Sequence, residues 1–189
     1  MDKSGNFYHS KTKLGFIHIP KCGGCSVVQY LLDLDHWKPI GQDVHKNYAA
    51  ESYNNFDATL FTTVRHPVTW LKSGYKFFKQ TYNHNITFDE HIDKVLYQKN
   101  ISSHELFDWH WHCQLLPSDH IGNHSVVACK LEEIEKLPKW LEQWFPNATD
   151  FTVPIKNTTE EEDIIISKDT MNKIKTLTTH YADRFGYEL

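Results

Sequence analysis

Lys21, Gly23, Gly24 and Ser26 fall within one short run, Pro20-Lys-Cys-Gly-Gly-Cys-Ser26, and residues of these types at this spacing can hold an anion. The lysine brings a mobile full charge. The glycines let backbone amides come close to a ligand, and a helix beginning there would add unpaired N–H groups and the positive end of its dipole, which favour phosphate or sulfate. Cys22 and Cys25 bracket the glycines as C-x-x-C, a spacing that supports thiol chemistry when a helix N-terminus stabilises the thiolate. The chain also carries 13 histidines, each able to accept a proton near neutrality from a reference pKa of ~6.5.

The elements around that run are the ones a cradle needs. Leu14 to Ile19 is a short run of β-formers, and Val27, Val28, Leu31 and Leu32 recur at helical spacing after Ser26, which predicts strand, tight loop, helix. The arrangement recurs. Ala58 to Val64 predicts a second strand that ends at Arg65-His66-Pro67, and Pro67 opens a helix through Trp70, Leu71, Tyr75 and Phe78. Thr87 with Glu90 forms a capping box before a helix over Phe88 to Gln98. Ser125 to Cys129 predicts a third strand, followed by helical residues from Leu131 to Phe145 that Pro138 interrupts, and a closing helix runs from Ser167 or Lys168 to about Phe185. Between these, Pro39-Ile-Gly41 signals a turn ahead of a short helix at Val44 to Ser52, and Ser102 to Leu116 is rich in aromatics and histidine. Strands alternating with helices predict an α/β domain over residues 1–189, with a mainly parallel sheet, helices on both faces and ligands at the carboxyl ends of the strands.

Composition narrows the partners. A formal net charge of −4, with no basic run, argues against nucleic acid and confines anion recognition to a local pocket. No apolar stretch approaches the ~18 to 20 residues of a membrane span, and the first residues lack the apolar core of a signal peptide, so the expectation is a soluble cytoplasmic protein, lumenal only if a leader has been removed. Four cysteines in 189 residues suit a reducing compartment. Sequons begin at Asn85, Asn100, Asn123, Asn147 and Asn157, which a chain rich in asparagine and threonine yields by chance. His110, His112, Cys113, His120 and His124 lack the paired spacing of a structural zinc site, so no metal is expected.

The run is not a Walker loop, because Lys21 precedes both glycines. Strand–PKxGGxS–helix resembles instead the 5′-phosphosulfate loop of sulfotransferases that use 3′-phosphoadenosine 5′-phosphosulfate (PAPS), in which PKTGGTS is common. Cys22 and Cys25 stand here where threonines usually stand, and a thiol is the weaker donor. Val64 to Tyr75, VRHPVTWLKSGY, resembles the family's 3′-phosphate motif, which places Arg65 and Ser73 on that phosphate, while Trp70 occupies the position of a frequent second arginine. Lys130-Leu-Glu132 after a strand and the ending Tyr181-x-Asp-x-Phe-x-Tyr187 are further echoes. The resemblance implies a P-loop-like three-layer fold and PAPS as donor, bound by Lys21, Cys22, Gly23, Gly24, Cys25, Ser26, Arg65 and Ser73. It implies a hydroxyl acceptor, a carbohydrate first of all, and no metal. Lys21 would stabilise the leaving phosphate. His45, between the two motifs, is the expected base, with His36 as runner-up, and His36, His110, His112 and Gln114 are expected to face substrate. His18, inside a strand, is expected to be packed rather than catalytic.

Other functions compete with this one. A thioredoxin-like oxidoreductase would use Cys22 and Cys25 but leaves Lys21, Arg65 and Ser73 without a role. A non-catalytic nucleotide- or glycan-binding module would keep the cradle without turnover. A small-molecule kinase lacks the Walker lysine and a clear magnesium-binding aspartate.

Overall fold

The computed structural model describes residues 5–40, 53–54, 56–82, 85–100, 117–155 and 163–189. The chain forms two compact units, one of residues 1–65 with 117–158 and the other of residues 66–116 with 159–189. The first unit carries a five-stranded sheet. Its strands are β1 (Asn6–His9), β2 (Leu14–Ile17), β3 (Trp37–Ile40), β4 (Thr59–Val64) and β5 (Val127–Lys130), in the spatial order β3-β1-β2-β4-β5. β2 pairs in parallel with β4, and β4 with β5, while β1 runs antiparallel to both β2 and β3. Four strands therefore point one way and β1 alone is reversed, giving a mixed α/β protein with a mostly parallel sheet.

Alternation along the strands builds the core of this unit. Phe7 lies opposite Phe16, and Phe16 opposite Phe61, so one sheet face presents a row of aromatics across β1, β2 and β4. Against that face packs α1 (Gly24–Asp33), whose Val27, Val28 and Leu31 recur at helical spacing and are fully buried. Each such side chain contributes about 1.5–3 kcal/mol of hydrophobic stabilisation. Tyr30 buries its ring there and donates its hydroxyl to the carbonyl of Ala148 at 2.9 Å. Burial pushes the Tyr30 phenol up to about 12.

The strands expected at 14–19, 58–64 and 125–129 are present as β2, β4 and β5, with the last shifted to Val127–Lys130. Two strands were not anticipated. β1 is four residues long, and β3 contains Pro39, which reads as a turn in sequence. Pro39 is tolerated because β3 lies at the sheet edge, where a missing N–H costs no ladder bond on the open side. The stretch after β5 is a 3-10 helix over Leu131–Lys136 that passes into the short α5 (Leu137–Leu141), with Pro138 in the first turn where its lack of an N–H is harmless. Among the described residues this unit also holds α4 (Pro117–Ile121) and a single 3-10 turn over Ala148–Asp150.

The second unit is helical. It contains α2 (Pro67–Tyr82), α3 (Phe88–Asn100) and α6 (Lys168–Phe185), which pack on one another. The capping box is formed as expected: the Thr87 amide donates to Glu90 Oε2 at 2.7 Å, and the Glu90 amide donates to Thr87 Oγ1 at 3.2 Å. Ser167 caps α6 by accepting from the Thr170 amide at 3.1 Å, and Thr170 Oγ1 donates to Asp89 Oδ1 at 2.6 Å. Among the described residues no helix is long and apolar enough to cross a membrane.

Candidate functional site

The sheet order locates the site. From β2 the chain passes through α1 to β3 on one side, whereas β4 and β5 extend the sheet on the other, so the carboxyl ends of β2 and β4 flank a topological switch point. Ligands of open α/β sheets bind in such crevices. The loop from His18 to Gly23 and the N-terminus of α1 occupy this position at the end of β2, and Arg65 follows β4 directly.

The loop's conformation follows from its residues. Lys21 takes a left-handed φ of 64°, unusual for a side-chain-bearing residue, and Gly23, the N-cap of α1, takes a φ of 78°. Alternation of this kind turns successive amides toward one side, as in anion-binding nests. The Cys22 amide is used within the loop, donating to the Ile19 carbonyl at 3.3 Å, and the Ser26 and Val27 amides both donate to the Gly23 carbonyl. Among the described residues no backbone carbonyl takes the Gly23 or Gly24 amide. Glycine at the cap brings no side-chain oxygen, so nothing on that residue competes with a bound anion.

The glycines also serve the protein's own packing, which sequence reasoning missed. A Cβ on Gly24 would lie 2.3 Å from His18 Cδ2, and one on Gly23 would lie 2.5 Å from Leu131 Cδ1. His18, expected inside a strand and packed, follows β2 and is a buried support directly under the first turn of α1, and its amide donates to the buried Asn6 Oδ1 at 2.9 Å. Leu131 comes from the residues after β5. The only sequence sign of its involvement is the Lys-Leu-Glu echo at positions 130–132.

Arg65 joins the loop. Its Nη1 donates to the Lys21 carbonyl at 3.5 Å. Cys22 is fully buried beneath, so its side chain faces the protein and not the ligand side of the loop. Burial drives its thiol far above the ordinary range, with the Arg65 charge and backbone N–H opposing that shift and Glu132 adding to it. Cys25, in the first turn of α1, is partly exposed, and Cys22 and Cys25 are not joined in a disulfide. Ser26 is nearly buried, at 7% exposure.

The other candidates separate. His36 precedes β3, and Trp37 pairs with His9, which itself pairs with Leu14 at the start of β2. His36 therefore lies at the end of the sheet opposite the loop, half-exposed and paired with Asp35 at 3.2 Å. The structure does not bring it to the cradle, because β3 enters the sheet in the same direction as β2. Ser73 lies in the second unit, on the buried side of α2, at 8% exposure. His45, His110, His112, Cys113 and Gln114 lie outside the described residues.

No family model, curated protein or solved structure matches the chain.

The second unit accounts for the histidine and the aromatic ending that accompany the motif. His66 Nδ1 accepts from the Val68 amide at 3.3 Å, which leaves the proton on Nε2, where it donates to the Glu188 carbonyl at 3.0 Å. Tyr187 packs edge-on to His66 and stacks on the buried Tyr181. Gly186 ends α6 with a left-handed φ of 64°, turning the last residues back toward the start of α2.

Proposed function

We propose that this protein is a PAPS-dependent sulfotransferase with a P-loop-like three-layer fold, moving a sulfuryl group to an acceptor hydroxyl, a carbohydrate first of all. The observation that carries the reading is the β2–loop–α1 cradle with Arg65 of the neighbouring parallel strand on the Lys21 carbonyl. A lysine, glycine amides that no backbone carbonyl takes, and a guanidinium at one switch point suit a ligand with more than one anionic group. Lys21 meets charge as it develops on the departing phosphate oxygen. The acceptor hydroxyl loses its proton to a histidine base, for which His45 remains the candidate, while its oxygen attacks sulfur in line with the leaving phosphate.

A thiol–disulfide oxidoreductase is the weaker reading. Such a pair needs an accessible thiol of lowered pKa, whereas Cys22 is buried and its thiol is pushed up.

The test is a thermal-shift comparison of 3′,5′-ADP with ATP, followed by an acceptor screen with radiolabelled PAPS. Selective stabilisation by 3′,5′-ADP and label transfer to a hydroxyl acceptor are expected. Lys21→Ala should abolish transfer while leaving the melting temperature near that of the parent, and undiminished transfer in that variant would exclude the mechanism. Arg65→Ala should chiefly weaken donor binding. Binding of 3′,5′-ADP without turnover on any acceptor would favour a non-catalytic module.

A further inference from the structure

We propose that the cavity beside β5 is a second binding site, one that takes a small aromatic molecule carrying an anionic group. It lies within the sheet-bearing unit, and no residue of the cradle lines it, so it stands independently of the donor reading.

The cavity measures about 420 Å³, within the roughly 300–1,000 Å³ of small-molecule sites. Its apolar wall is largely aromatic. Phe61 of β4, almost wholly buried, meets Trp140 of α5 with ring centroids 5.2 Å apart and planes tilted by 50°, and Leu137 lines the space beside them. Val127 of β5 stands opposite Phe61 and lines the cavity too, yet is 43% exposed. Among the described residues no strand covers β5 on that side.

The polar wall sets the charge of the occupant. Lys130, at the end of β5, and Lys136 bring two ammonium groups against the single carboxylate of Glu133, which Lys136 already holds at 2.5 Å. The lining carries a surplus positive charge. A cationic ligand would meet like charge there and a neutral one would leave the surplus unanswered, whereas an anion complements it. Tilted rings offer both faces and edges, and a flat aromatic body packs on them with less loss of internal freedom than a flexible chain.

The test is calorimetric titration of the full chain with naphthalenesulfonate, beside uncharged naphthalenemethanol and aliphatic hexanesulfonate. Naphthalenesulfonate should bind saturably, and each comparator should bind at least about fivefold more weakly. Absence of saturable binding, or parity with either comparator, would overturn the proposal. Val127→Asp sets a carboxylate in the exposed part of the lining and should weaken naphthalenesulfonate by about tenfold or more with an unchanged circular dichroism spectrum. Lys130→Gln removes one ammonium group while keeping most of the stem, should weaken it by about threefold or more, and decides the matter if the aspartate variant unfolds. Parent-like affinity in a folded variant of either kind would overturn the site. Lys21→Ala should bind the probe as the parent does, and a loss there would place the probe in the cradle and overturn the proposal equally.

Discussion

At the level of single residues, Gly23 is held by conformation and by contact together. Its φ of 78° lies where a side chain is strained, and a Cβ would meet Leu131 at 2.5 Å. Gly23→Ala should therefore cost about 1–3 kcal/mol, measured by urea denaturation, and Leu131→Ala in the same chain should recover part of it by removing the clash. A loss no larger than that of an exposed surface substitution would show that the loop adapts. Sequence alone marked this glycine, but for its amide. The role of its missing side chain depends on a leucine more than 100 residues away, which no local pattern reveals.

Single elements carry their own sensitivity to pH. The turn between β1 and β2 is fastened by His9, whose Nδ1 accepts from the Thr12 amide at 3.1 Å and lies 2.7 Å from the Thr12 hydroxyl. Burial lowers the His9 pKa, His36 and Lys11 lower it further, and Asp35 opposes them. A histidine depressed in the fold binds its proton more readily when unfolded, so its contribution is complete above the ordinary value of ~6.5 and is lost as pH falls below it. Unfolding followed by denaturant between pH 7.5 and about 5 should show that decline, and His9→Gln, which keeps an acceptor for Thr12, should flatten it. An unchanged slope would remove His9 from the account. In α6, Ser167→Ala deletes the oxygen that accepts from Thr170 and should cost about 1 kcal/mol. A melting temperature equal to the parent's would show the cap to be dispensable.

For the molecule as a whole, a net charge of −4 with no basic run predicts no retardation of duplex DNA at physiological salt, and a stable DNA complex would contradict that. β2, β4, β5 and the principal helices were legible because a run of β-formers or a helical period meets a turn or cap signal at the boundary, as Pro67, Thr87 and Ser167 illustrate. β1 and β3 were not, since Asn6-Phe-Tyr-His9 offers no run of β-formers among its polar neighbours and Pro39 argues against a strand unless its edge position is known. The cradle's residues were legible from type and spacing. The distance of His36 from it was not, because it depends on the register of β3 with β1 across the sheet. The strand order has a last consequence. β2 sits between β1 and β4, with β3 and β5 outermost among the described strands, so the loop grows from a strand paired on both sides. Local opening begins at edges, and the amides of Phe16 and Ile17 should be among the last to exchange with heavy water. A chain warmed or mildly denatured would fray at β3 and β5 while the ground beneath Lys21 stayed firm.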